Sequence, residues 1–186
     1  MSYAGKFLMA AGRPCTILRT TPVESYASLR RASRSTARGE AYWEGLILAD
    51  TNLTSGDVLQ IGSDKFLVHY TYASSRELYW FGAKANAAVS IYRYAELADE
   101  NGNIIQDWEL VASNVPAYGE IVTASLRAQD PGLLPNTRLL LQIPKSVNAQ
   151  VMDRIVLGDK KYQLDSLDDV MLQGIARLQL SEDLRP

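Results

Sequence analysis

Apolar residues alternate with polar ones over short runs throughout the chain, and one such run occurs twice. The run Asp57-Val58-Leu59-Gln60-Ile61-Gly62-Ser63-Asp64-Lys65-Phe66-Leu67-Val68 puts Leu59, Ile61, Phe66 and Val68 on one face. Asp153-Arg154-Ile155-Val156-Leu157-Gly158-Asp159-Lys160-Lys161-Tyr162-Gln163-Leu164 does the same with Ile155, Leu157, Tyr162 and Leu164. Alternation at period two, broken by a Gly-led turn of small and charged residues, predicts a β-hairpin in each place. The two runs lie 96 residues apart, and at that offset Asp57, Gly62 and Lys65 meet Asp153, Gly158 and Lys161. A second echo, Ala27-Ser28-Leu29-Arg30 against Ala124-Ser125-Leu126-Arg127, lies at an offset of 97. Two ordered matches at nearly one offset predict an internal duplication.

The rest of the chain carries the same short-strand pattern. Strands are predicted at Cys15 to Thr20, stopped by Pro22, at Tyr42 to Leu48, at Leu78 to Phe81 and at Val89 to Tyr94. Further strands are predicted at Trp108 to Val111, Glu120 to Thr123, Arg138 to Ile143, where Pro144 ends the strand, and Gly174 to Leu180. Many short strands with little sustained helical periodicity predict an all-β fold of two tandem small barrel or sandwich modules with long loops. Asn101-Gly102, between Leu97 and Ile104, is a strong primed-turn signal, and the module junction is placed there. The expected division is an N-terminal arm and first module over 1–98 and a second module over 104–186. Residues 1–14 are weakly patterned and read as an arm ordered only when something holds it. Residues 24–34 admit a short helix.

Composition narrows the function classes. The 186 residues are 47% apolar and 22% charged with a net charge of −2, ordinary for a soluble globular protein and not basic enough for a protein coated in nucleic acid. Cys15 is the only cysteine, so no disulfide within the chain and no cysteine-based metal cluster is available. No apolar run approaches a membrane span, and Phe7 to Ala11 is too short for a secretion signal, so a soluble chain starting near its natural N-terminus is expected. His69 is the sole histidine and sits on a predicted strand, where packing is its expected role. Asp99-Glu100-Asn101-Gly102-Asn103 has the look of a calcium loop, but its closing position is Leu110 rather than Glu. Asp165, Asp168 and Asp169 read as solvated turn residues. No catalytic residue, metal ligand or cofactor is assigned, and the chain is not expected to be an enzyme. The distinctive stretch is Ser25 to Gly39, which holds Arg30, Arg31, Arg34 and Arg38 and no acidic residue. Guanidinium groups in such a segment are suited to phosphates or to carboxylates of a neighbouring subunit.

The succession Ile91-Tyr92-Arg93, Asp99-Glu100-Asn101-Gly102, Trp108-Glu109-Leu110-Val111, Asn114-Val115-Pro116-Ala117-Tyr118, Asp153-Arg154-Ile155 and Tyr162-Gln163-Leu164 resembles the small β-barrel head-closure and head–tail joining proteins of tailed bacteriophages. The match covers mainly residues 108–186, with a weaker echo in 15–93. The chain departs from the family pattern in carrying two modules where one is typical, and in having Met152 where Gly is usual, although the first copy keeps Gly56. The resemblance implies a structural virion protein of the neck, assembled in the host cytoplasm. It implies a homo-oligomeric ring that meets portal or adaptor and tail proteins, without a membrane. Ser25 to Gly39 and Arg127 to Asn136 would be the loops facing the DNA channel, with Arg30, Arg31, Arg34, Arg38 and Arg127 touching DNA non-specifically or touching a partner. A duplicated barrel implies half as many chains for a ring of matching pseudo-symmetry. A tail-hub or baseplate protein is the near variant. The reading from another class is a β-barrel that stacks single-stranded nucleic acid on Tyr70, Tyr72, Tyr79 and Trp80.

Overall fold

The computed structural model describes residues 3–32, 41–73, 77–98 and 104–185. The fold is all-β in architecture, with two closed six-stranded barrels in tandem. One compact unit comprises residues 1–86 together with 169–175, and the other comprises 87–168 together with 176–186.

The first unit opens with helix α1 (Tyr3–Ala11) and continues through β1 (Arg13–Leu18), β2 (Val23–Ala27), β3 (Arg30–Arg31) and β4 (Tyr42–Leu48). A 3₁₀ turn (Ala49–Thr51) leads to β5 (Val58–Ile61), β6 (Asp64–Ala73) and β7 (Glu77–Lys84). The strands run β2-β1-β5-β6-β7-β4, and Ala27 opposite Ile47 closes β2 onto β4. β3 continues β2 along the same side of β4 after a break at Ser28, whose backbone N–H donates to the Leu46 carbonyl. Gly45 makes that break possible, since a Cβ there would lie 1.9 Å from the Ser28 carbonyl oxygen. The inward positions Ile17, Ile47, Leu53, Leu59, Phe66, Val68 and Trp80 form the core.

The second unit is built from β8 (Ala87–Ala98), β9 (Ile104–Ile121), helix α2 (Ala124–Gln129), β10 (Leu139–Pro144), a 3₁₀ turn (Lys145–Val147), β11 (Arg154–Leu157), β12 (Lys160–Asp168) and β13 (Ile175–Glu182). Its closed order is β10-β13-β12-β11-β8-β9. Val89, Ile91, Val115, Leu141, Ile143, Ile155, Leu164, Leu178 and Leu180 fill it.

Several expectations change. The weakly patterned N-terminus contains a helix whose Leu8 is fully buried, and at nine residues it depends on such tertiary packing rather than on its own propensity. Residues 23–27 and 30–31 are strands rather than a helix, since β-sheet pairing outweighs the local neutrality of Ser and Arg. The strand containing Val89 to Tyr94 does not close the first module: it pairs with β9 and β11 and opens the second barrel. The change of sheet therefore falls between Lys84 and Ala87, not at the Asn101-Gly102 turn. That turn lies outside the described residues, but the strands flanking it are antiparallel, with Ala98 opposite Ile104.

The duplication extends well beyond the sequence echo. Asn52, Gly56 and Gly62 all have positive φ, and so do Asn148, Met152 and Gly158, each 96 residues later. The Gly56 N–H donates to the Val68 carbonyl and the Val68 N–H to the Asp57 carbonyl, and Met152, Leu164 and Asp153 repeat both bonds. A register shift falls between Val68 and Tyr70 and again between Leu164 and Ser166, so His69 and Asp165 occupy the same bulge. The Ala27 and Ala124 echoes do not correspond. Ala27 ends a strand, whereas Ala124 starts α2 behind the N-cap Thr123, whose Oγ1 accepts from the Leu126 N–H.

Candidate functional site

Each barrel carries one arginine–aspartate clamp at the loop that precedes its hairpin. In the first, Arg19 Nε donates to Asp57 Oδ1 at 2.9 Å, and Arg19 Nη2 reaches the Asn52 carbonyl at 2.7 Å. In the second, Arg93 Nε donates to Asp153 Oδ1 at 2.8 Å and Nη2 reaches both Asp153 Oδ2 and the Asn148 carbonyl. The loop's own N–H groups, from Thr54 and Gln150, complete the carboxylates. Burial alone would raise the Asp57 carboxyl, but the Arg19 and Thr54 hydrogen bonds outweigh it and leave the group below its ordinary value. These clamps fix loop shape.

A second cation cluster closes the end of the second barrel. The Asp183 side chain is fully buried and accepts from Arg154 Nε at 2.7 Å and Arg185 Nε at 2.8 Å. Burial would raise its carboxyl, yet the two guanidinium groups and the Arg185 N–H hold it well below the usual carboxylate range. The Arg154 guanidinium lies 3.7 Å from the centre of the Trp108 ring, and Arg185 lies 4.8 Å from it. Trp108, opposite Tyr94 in the long β8–β9 hairpin, thereby ties that hairpin to the cluster, and sequence reasoning assigned neither it nor Arg154 and Arg185 a role.

The arginines singled out from sequence separate into three groups. Arg30 forms an ion pair of 2.8 Å with the buried Glu44, and a hydrogen bond with Tyr79, followed by the Glu44 charge, raises its pKa. Arg31 lies 5.6 Å from the centre of the Trp43 ring. Arg34 and Arg38 fall outside the described residues. Arg127 is on α2, and it donates to the Leu134 and Thr137 carbonyls at 2.8 and 2.9 Å. It stitches its own loop, which Gln179 also holds by accepting from the Leu134 N–H and the Thr137 hydroxyl. Leu126, Leu133 and Leu140 pack into a small core beneath that loop.

The aromatic residues also separate. Trp80 is fully buried in the first core, edge-on to Phe66, and is closed to any ligand. Tyr70 and Tyr72 are exposed, and Tyr70 stacks on Phe81, which stacks on Tyr42. His69 is buried against Tyr42 and Phe81 at ring distances of 5.7 and 6.0 Å, a packing position. Cys15 is buried, and burial followed by the Glu24 charge pushes its thiol up to about 12. Asp165 accepts from Gln163 and Asn136 side chains. Among the described residues no group of three or more His, Cys, Asp or Glu is placed to hold a metal ion, and no helix is long and apolar enough to cross a membrane.

No family model matches the chain, and no curated protein matches it. Among solved structures, K. pneumonia MrkH in its apo state is similar at 7% sequence identity over 98% of this chain and 83% of that one. The TM-score of that pair is 0.22, too low to bear on either fold or function.

Proposed function

We propose that the chain is a structural protein of the neck of a tailed bacteriophage, closing the filled head and joining it to the tail as a ring of identical subunits. One observation carries the reading beyond the sequence resemblance: the chain is a barrel made twice, with the same bulge, the same positive-φ positions and the same arginine–aspartate clamp. Both clamps spend their charge on holding loops, which is the design of a scaffold that bears load rather than of a site that turns over substrate. Two equivalent barrels per chain let a ring present twice as many similar surfaces as it has subunits. Arg30 and Arg31 stand where the chain enters residues 33–40, so a channel or partner contact by the arginine stretch would begin there. The tail hub and the baseplate are further positions at which the same ring serves.

The test is to tag the protein in its native source, recover it from lysate and identify the chains that come with it by mass spectrometry. Portal, adaptor or tail proteins are expected. Recovery with cellular proteins alone would remove the virion reading. The exposed Tyr70 and Tyr72, with Phe81 and Tyr42 stacked behind them, favour a second reading as a module that binds single-stranded nucleic acid. Replacing both tyrosines by Ala should then abolish oligonucleotide binding by the isolated chain, and an unchanged affinity would discard this reading.

A further inference from the structure

The duplication supplies an internal control for surface charge. In the first barrel, Asp64 at the hairpin turn is neutralised by Lys84 Nζ at 2.8 Å. The residue 96 positions later is Lys160, so the second barrel has a cation where the first has a paired carboxylate. Lys160 and its neighbour Lys161 open β12, Glu182 ends β13 and Arg138 immediately precedes β10, three adjacent strands of one barrel rim. Together with Asp159, Tyr162 and Asp183 they line a groove of about 510 Å³. The side chains of Arg138, Lys160 and Lys161 make no ion pair among the described residues, in contrast to the engaged Arg19, Arg30, Arg93, Arg154, Arg177 and Arg185. Asp183, which lines the groove, is already taken by Arg154 and Arg185. The lining holds three cations and three carboxylates, and with Asp183 neutralised by Arg154 and Arg185, Arg138, Lys160 and Lys161 face only Asp159 and Glu182.

We propose that this groove binds the phosphate groups of a nucleic-acid backbone, without regard to sequence, through Arg138, Lys160 and Lys161. Three unpaired cations on adjacent strands span several ångströms of rim, which matches successive charges of a phosphodiester chain better than it matches one small anion. The site does not depend on the neck reading, and it lies in the second barrel rather than in the arginine stretch of the first.

Binding of the purified chain to a 30-base-pair duplex is measured by fluorescence anisotropy at about 50 and 200 mM salt. Three phosphate contacts predict a roughly 40-fold loss of affinity between the two conditions. Lys160→Asp, which installs the first barrel's residue, and Arg138→Ala should each weaken binding and flatten the salt slope by about one unit, while Lys65→Ala in the first barrel leaves both unchanged. The three side chains are exposed, and circular dichroism checks that each variant remains folded. Absence of salt-sensitive binding, or a Lys160→Asp variant that binds as the parent does, overturns the proposal. So does full displacement of the duplex by inorganic phosphate at equal phosphate concentration, which would make this a site for a free anion. None of these results bears on which proteins co-purify, so this site and the neck assignment stand or fall separately.

Discussion

Met152 occupies a backbone position that its counterpart fills with glycine. Its φ is +77°, where Gly56 has +91°, and the side chain is half exposed, so little packing offsets the left-handed conformation. Met152→Gly is expected to raise stability by about 0.5–1 kcal/mol, read as a higher urea midpoint. Gly56→Ala should do the reverse with greater force, because a Cβ there would stand 2.5 Å from the Gly174 carbonyl oxygen. Sequence alone pointed to position 152 as a departure from pattern, but only the backbone says that the departure is tolerated by strain rather than by a changed turn. Cys15 makes the third residue-scale case. Buried and with its thiol pushed up to about 12, it should stay unreactive towards a thiol reagent at pH 8 until the protein is unfolded in urea.

At the scale of elements, the clamps hold the connection between a 3₁₀ turn and a hairpin. Asp153 is nearly fully buried while Arg93 is about one-third exposed, so Asp153→Asn leaves a partly solvated guanidinium and should cost about 2 kcal/mol in equilibrium unfolding. The hairpins themselves were legible because apolar alternation and a Gly turn are local signals. The clamp partners were not, because their spacing differs. Asp57 and Asp153 are 96 apart, but Arg19 and Arg93 are 74 apart, so the second copy holds 22 more residues between its first strand and its hairpin. A search at one offset pairs the aspartates and misses the arginines. Those extra residues fall where β8 and β9 lengthen and α2 intervenes, which is also why the Ala27 and Ala124 echo misled. The place of β8 was lost for a related reason: strand membership is decided by its register with β11, Ile91 opposite Ile155, and no local pattern carries that.

For the whole molecule, acidity acts on both barrels in the same direction. Asp57 and Asp183 each titrate below the ordinary carboxylate range in the folded chain and near 4 when unfolded. The stability they contribute is therefore fully present above about pH 4 and lost as pH falls through the lower folded values. The urea midpoint should fall between pH 6 and pH 3, and the Asp57→Asn, Asp183→Asn double variant should show a flatter pH dependence from a lower starting point. The all-β class and the two-barrel organisation were readable from strand count and the repeat. What lay beyond reach was the return of residues 169–175 to the first unit, since it depends on a contact between chain positions more than a hundred residues apart.

The close approach of Gly56 and Gly174 carries a historical meaning. A doubled gene begins as two interchangeable parts, either of which is dispensable. Here a stretch encoded by the later half has become part of the earlier one, with Gly174 set against Ser55 and Gly56 at distances that admit no side chain. On a ribosome the first unit is complete only after residues 169–175 have been made.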